Sequence, residues 1–358
     1  MKPSQLLFYG RAGFEKEIAQ EITARAAEMG CDGFVKAKPD SGFAVFHPHQ
    51  EALGVELGAS IDYGQLVFPR QVVRVAEMLT ALPETDRAGP IAQAASALGT
   101  RFAELRIEMP DTNDGKALAQ LAKPLTPHLE KALRKAGVVF DDAQAGERLH
   151  VFFVGGRACY VGVSAVANSS RWLMGIPRLR MPSGSPSRST LKLAEAMLEF
   201  VPGREFEPGA SAADLGAAPG GWTWQLVQRG FMVTAVDNGP MDAALMDSGQ
   251  VKHRRDDGFH YRPADPVEWM VCDMVESPSR IAALVARWIE KGWCQETIFN
   301  LKLPMKKRWE ELLRCRDIID EALGGRGYYL RFKQLYHDRE EVTGYLARRA
   351  GQPLHSRP

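Results

Sequence analysis

Two lysines and two carboxylates stand where alternating strand and helix signals would use them for chemistry rather than packing. Lys302 closes the apolar run Phe299-Asn-Leu-Lys302, and Asp273 closes Trp269-Met-Val-Cys-Asp273. Lys192 lies in Ser187-Arg-Ser-Thr-Leu-Lys192-Leu-Ala-Glu195, which opens a helix, and Glu341 lies in Tyr336-His-Asp-Arg-Glu-Glu341-Val at the start of the last strand. A lysine ending an apolar strand is costly unless paired, so a partner carboxylate is expected. The set suits methyl transfer to a weakly acidic alcohol, a ribose 2′-hydroxyl, which must be aligned in line and relieved of its proton. A lysine near other positive charge or in a low-dielectric pocket gives up its proton more readily and can act as base. Lys302 is the expected base, Lys192 the cation that polarises the hydroxyl, and Asp273 and Glu341 the groups that orient the two amines. Taken singly, each lysine could equally be a surface cation in an ordinary salt bridge.

The methyl donor needs its own site. Asp214-Leu-Gly-Ala-Ala-Pro-Gly-Gly-Trp222 falls between a strand and a helix, and Gly216, Gly220 and Gly221 allow a sharp turn and close backbone approach to a ligand. A dinucleotide fingerprint would need glycine at position 218, which is alanine, and no G-x-x-x-x-G-K-[ST] run is present. A nucleoside cofactor without a pyrophosphate remains. Asp237 closes the next strand and can accept from ribose hydroxyls, and Asp257 follows a third strand and can accept from an adenine amino group. One such aspartate is ordinarily a cap or turn residue. The ordered series fits Ado-methionine.

The elements that must position these groups read as follows. Leu6–Tyr9 is a strand, Gly13–Met29 an amphipathic helix and Gly42–Phe46 a strand. A second unit starts with the strand Ala103–Met109 and continues through a helix near Lys116–Ala136 that Pro124 and Pro127 should break or bend. It ends in strands Leu149–Val154 and Ala158–Val163, joined by a hairpin at Gly155-Gly156. The Pro/Gly/Ser-rich stretch Ala167–Pro186 is the domain boundary. Beyond it, strands at Ala212–Leu215, Phe231–Val236, Trp269–Cys272, Thr297–Leu301 and Tyr328–Gln334 alternate with helices at Leu191–Phe200, Trp222–Arg229, Pro278–Lys291 and Met305–Leu323. That order implies a mostly parallel, doubly wound α/β sheet with its site at the carboxyl ends of the strands.

The 358 residues carry 45 Lys+Arg against 44 Asp+Glu, a net charge of +1, which excludes a polycation or an acidic tail protein. The charge is segregated. No acidic residue lies between Glu147 and Glu195, whereas Arg148, Arg157, Arg171, Arg178, Arg180, Arg188 and Lys192 do. Five scattered cysteines suggest neither a zinc site nor a disulfide framework. No signal segment and no run of ~18 apolar residues is visible, so a cytoplasmic protein without membrane attachment is expected.

In this order, SRSTLKLAE, DLGAAPGGW, VCDMVE, FNLKLPMKKR and YHDREEVT resemble the ribosomal RNA large-subunit methyltransferase M family of 2′-O-ribose methyltransferases. The resemblance covers most of the chain. It implies a Rossmann-like Ado-methionine-dependent methyltransferase domain at 187–350 and a tail at 351–358. Before these it implies a ferredoxin-like α+β unit at 1–80, a THUMP-like RNA-binding domain at 81–170 and a basic linker at 171–186. It places a Lys-Asp-Lys-Glu tetrad on Lys192, Asp273, Lys302 and Glu341, with Glu341 preferred to Glu340 because valine follows it. Cofactor contacts carry over to Ser189, Ala218, Pro219, Gly220, Gly221, Asp237, Asp257 and Asp273. The implied substrate is a cytidine of 23S ribosomal RNA or its precursor, with S-adenosyl-L-methionine as cofactor, no metal, and a monomer favoured.

Arg171, Arg178, Arg180 and Arg188, beside Trp172, could bind phosphates and stack an unpaired base, and Lys306 and Lys307 could extend the track. Two other readings remain. A base-directed methyltransferase would use an Asn/Asp-Pro-Pro-aromatic loop, which Asp273-Met-Val-Glu lacks, or a nucleophilic cysteine, for which Cys272 is a poor candidate if it faces the core. A non-catalytic RNA-binding assembly factor would not need two lysines at separate strand and helix ends.

Overall fold

The computed structural model describes residues 3–141, 146–324 and 327–348, so the expected tail 351–358 and residues 349–350 lie outside it. The chain divides into two compact units, residues 1–177 and 178–358.

The first unit is built from apolar strands that pair over long sequence separations. Its elements are β1 (Gln5–Tyr9), α1 (Glu15–Glu28), β2 (Gly33–Ala37), β3 (Phe43–Pro48), α2 (Glu51–Ser60), β4 (Gln71–Val75), α3 (Ala88–Leu98), β5 (Arg101–Phe102), β6 (Leu105–Glu108), α4 (Asn113–Lys135), β7 (Val139–Phe140), β8 (Glu147–Gly155) and β9 (Ala158–Ala165). A seven-stranded sheet runs β2-β3-β1-β4-β9-β8-β6, and β5 pairs with β7 separately. The junction is β4 with β9, where Arg74 faces Val163 and Val75 faces Gly162. One sheet therefore spans residues on both sides of position 80.

One expectation needed correction here. Pro124 and Pro127 do not break α4, which is one continuous helix with both inside it. Its buried stripe (Ala122, Leu129, Leu133) and the cap that Thr112 Oγ1 provides to Gly115 N (3.0 Å) outweigh the two lost backbone donors. Helix α2 met no expectation from the sequence, where its glycines give no helical signal. A Cβ on Gly54 would lie 2.3 Å from Ser4 O, so glycine is what lets this helix lie against β1 and β3.

The second unit comprises α5 (Thr190–Phe200), β10 (Ser211–Leu215), α6 (Gly221–Val227), β11 (Met232–Val236), α7 (Ala243–Asp247), β12 (Val251–Arg254), β13 (Val267–Cys272), α8 (Pro278–Glu290), β14 (Cys294–Lys302), α9 (Arg308–Leu323), β15 (Tyr328–Lys333) and β16 (Glu341–Arg348). Helix α9 starts later than Met305, because Lys307 adopts a left-handed conformation (φ 59°) at its cap. The sheet order is β12-β11-β10-β13-β14-β16-β15. The first five strands are parallel, while β16 runs antiparallel to both β14 and β15. This is the mostly parallel α/β sheet that the alternating pattern implied. Leu193, Met197, Trp222, Leu226, Trp269 and Val271 form the core between the sheet and helices α5 and α6.

Candidate active site

Parallel strands β13 and β14 end side by side, which places Asp273 and Lys302 at one edge of the sheet. Because β16 is antiparallel, its first residue lies at that same edge, and Glu341 pairs in register with Lys302. Helix α5 supplies the fourth group. Lys192 Nζ lies 2.9 Å from Glu341 Oε1 and 3.6 Å from Asp273 Oδ2, and Lys302 Nζ lies 3.9 Å from Asp273 Oδ1. Glu340 points elsewhere, to Arg308 Nη2 at 2.6 Å.

The contacts distinguish the two amines. Burial alone would draw the Lys192 ammonium down, but Asp273 and Glu341 outweigh it and hold it above the ordinary lysine value. Burial would raise Glu341, yet the Arg339 backbone N–H (2.7 Å to Oε2), Lys192 and Lys302 hold its carboxylate below the ordinary range. Lys192 and Glu341 thus form a fixed ion pair at neutral pH. Lys302 touches one carboxylate, at the outer limit of an ion pair.

A set of buried polar groups orients this arrangement, and sequence reasoning assigned them no role. Asn300 Nδ2 donates to Asp273 Oδ1 at 3.0 Å, and Thr343 Oγ1 donates to Asn300 Oδ1 at 2.8 Å. Asp338 Oδ2 receives Leu335 N, and Glu195 receives Tyr336 N and His337 N, so two carboxylates fold the turn that leads into β16. Asp338 is fully buried and its carboxyl is pushed well above the ordinary range, chiefly by desolvation. Asn300 did carry a signal: an amide in the middle of an apolar strand needs partners.

The glycine loop joins β10 to α6 and is tied by hydrogen bonds to the start of α5. Thr190 Oγ1 donates to Gly221 O (2.9 Å), Trp222 Nε1 donates to Ser189 O (3.1 Å), and a Cβ on Gly221 would lie 2.3 Å from Ser189 Oγ. Beside it opens a cleft of about 620 Å³ lined by Gly216, Ala218, Asp237, Asp257 and Asp273 among others. Pro219, Gly220, Gly221 and Ser189 do not line that cleft: Gly221 faces Ser187, Ser189 and Thr190 at the start of α5, while Gly220 lies against Leu245 and Met241 and Pro219 O accepts from Asp242 N (2.9 Å). Asp237 Oδ2 accepts from Ala218 N (3.0 Å) and Oδ1 from Gly239 N (2.7 Å), which fixes its carboxylate. The cleft's size and the carboxylates of Asp237 and Asp257 fit a nucleoside. Buried Asp214 below the loop is pushed up to about 7, first by burial and then by Asp273 and Asp237, against the hydrogen bond from Thr223 Oγ1 (2.6 Å).

Cys272 is fully buried and its thiol is pushed up to about 12 by burial, so it offers no thiolate for attack on a base. Among the basic residues, Arg171 belongs to the first unit, where its guanidinium sits 5.4 Å from the Trp172 ring. The buried Arg106 holds that segment by donating to the carbonyls of Ser170, Arg171 and Trp172. Arg178, Arg180 and Arg188 are exposed in the second unit, as are Lys306 and Lys307 in the loop after Lys302. Among the described residues no cluster of three or more His, Cys, Asp or Glu could hold a metal, and no helix is long and apolar enough to cross a membrane.

Comparison with known proteins matches residues 3–73 to the RlmM ferredoxin-like domain, 86–165 to the N-terminal domain of ribosomal RNA large subunit methyltransferase M, and 186–290 to the FtsJ-like methyltransferase domain. The ribosomal RNA large subunit methyltransferase M of Erwinia tasmaniensis is 48% identical over 353 residues, covering 96% of each chain. That of Methylococcus capsulatus is 49% identical over 348 residues, covering 96% of this chain and 98% of its own. With three domain matches in register and near-half identity over almost its whole length, the chain belongs to the ribosomal RNA large subunit methyltransferase M family.

Proposed function

We propose that this member of the family transfers a methyl group from S-adenosyl-L-methionine to the ribose 2′-hydroxyl of a cytidine in 23S ribosomal RNA, in the cytoplasm and as a monomer. The observation that carries the reading is the unequal pairing of the two lysines. Lys192 is clamped by two carboxylates and keeps its charge, whereas Lys302 makes a single long contact. When bound, the cofactor supplies an electrophilic methyl carbon on a sulfonium. Asp237 and Asp257 would hold its ribose and adenine, and the glycine loop would let it approach the backbone. Lys302, in its amine form, would take the 2′-hydroxyl proton. Lys192 polarises that oxygen, Asp273 holds both amines, and Glu341 fixes Lys192. Arg178, Arg180, Arg188, Lys306 and Lys307 would bind phosphates of the RNA, and in the first unit Arg171 with Trp172 would bind a phosphate and stack an unpaired base.

Mass-spectrometric mapping of ribose methylation on 23S ribosomal RNA tests reaction and target together. Wild-type protein should restore one 2′-O-methylcytidine in RNA from cells lacking the gene. Lys302→Ala should lower turnover by about 10³-fold or more with cofactor affinity within twofold, and a fully active variant would remove Lys302 from the role of base.

A further inference from the structure

In a doubly wound sheet each crossover normally lays a helix on a face. Helices α6, α7 and α8 fill the connections from β10 to β11, β11 to β12 and β13 to β14, but the connection from β12 to β13, residues 255–266, contains no helix. Pro263 and Pro266 in that segment oppose one. The face of β11 and β12 beneath it is left as a cleft of about 690 Å³.

What lines this cleft is mainly positive. Thr234 pairs with Lys252 and Val236 with Arg254, and side chains in register on neighbouring strands share a face. Lys252, Arg254, Arg255 and Arg262 line the cleft against two carboxylates, Asp256 and Asp265, with Tyr261 in the same wall. All four cations are exposed, and among the described residues Lys252, Arg254 and Arg255 form no ion pair. Uncompensated cations on an edge strand are an open counter-charge site for a polyanion. The cleft adjoins the cofactor cleft, the two sharing Asp256 in their walls. His253 Nε2 reaches the backbone carbonyl of Asp237 at 2.8 Å, which ties strand β12 to the main chain of the residue expected to hold the cofactor ribose. Strand β12 lies four strand positions from β14, or roughly 19 Å at ~4.8 Å per step, a span of a few nucleotides.

We propose that this helix-free cleft is a second RNA-backbone site, in which Lys252, Arg254, Arg255 and Arg262 hold phosphates of the substrate on the far side of the cofactor from the reacting ribose. The site rests on the reading of the protein as an RNA methyltransferase but not on which atom is methylated. The test uses the full chain and protein-free 23S ribosomal RNA. Affinity is measured over a potassium chloride series for wild type, Lys252→Gln with Arg254→Gln, and the charge-conserving Lys252→Arg with Arg254→Lys, alongside calorimetric binding of S-adenosyl-L-methionine. The neutralised variant should bind RNA about tenfold more weakly at low salt, with a log–log salt slope shallower by about 1.5. Its KM for RNA should rise by a similar factor while kcat holds, and the charge-conserving variant should behave as wild type. Unchanged RNA affinity and slope would overturn the proposal, as would a loss confined to cofactor binding or an equal loss in the charge-conserving variant. Methylation of a base by the wild type would instead overturn the reaction reading and leave this binding comparison to be judged by itself.

Discussion

At the scale of single residues, the site works by making like groups unlike. Lys192 and Lys302 both reach Asp273, but Glu341 adds a 2.9 Å contact to Lys192 and keeps it charged. Asp273 can serve both lysines only if its carboxylate is held still, which is the task of Asn300. Asn300→Ala should remove the 3.0 Å bond to Asp273 and the bond Asn300 accepts from Thr343, which keeps its contact to Asp338, lowering stability by about 1–3 kcal/mol and kcat more than KM. Steady-state kinetics and denaturant melts check this, and an Asn300→Ala enzyme with wild-type kcat would show that Asp273 needs no such support.

Asp214 gives the protein a pH signature. A carboxyl whose folded value is raised holds its proton more tightly in the fold than in the unfolded chain. Its contribution to stability is therefore complete below the ordinary carboxylate range and is lost as pH rises through about 7. Between these limits the loss is roughly 1.4 kcal/mol per pH unit. Denaturant titrations at pH 5 and pH 7 should show cofactor-free wild type losing more stability than Asp214→Asn, whereas parallel losses would contradict the assignment. The four residues proposed as catalytic were legible because lysines and carboxylates at strand ends are costly without a purpose. The supporting roles of Glu195, Asp338 and Thr343 were not, since each depends on a partner that only the folded turn before β16 brings near.

At the scale of elements, local pattern predicted β10, β11, β13, β14 and α8 of the second unit because those strands are apolar and that helix amphipathic, but it gave no range for α7 or for the charged strand β12. The first unit was read less completely. Strand β2 alternates between partly and fully exposed residues at the edge of its sheet, and α2 has glycines where an apolar stripe would be sought. Helix α4 shows the opposite failure, a true helix whose prolines argued against it. Both prolines are exposed, so removing one restores a backbone donor at no packing loss. Pro124→Ala should accordingly stabilise the first unit by about 1–3 kcal/mol in thermal or denaturant unfolding. A destabilised variant would mean that the helix needs its proline.

At the scale of the whole molecule, near-neutral net charge conceals a division of labour. The acid-free stretch between Glu147 and Glu195 spans the end of the first unit and the start of the second, while Asp214, Asp237, Asp257 and Asp273 gather around the cofactor cleft. Arg178→Ala with Arg180→Ala should weaken binding to 23S ribosomal RNA and flatten its salt dependence by about one unit of slope per lost phosphate contact. Identical salt slopes for variant and wild type would take these arginines out of the RNA track.

The antiparallel strand β16 has a consequence in time. It is threaded between β14 and β15, and it alone brings Glu341 to the edge where Lys192, Asp273 and Lys302 wait. During synthesis the cofactor loop, both lysines and Asp273 all leave the ribosome before Glu341 does. A nascent chain could thus build its nucleoside cleft early and still lack a fixed partner for Lys192. On the proposed mechanism, catalytic competence would arrive with the insertion of one late strand, the enzyme being switched on by completing its own sheet.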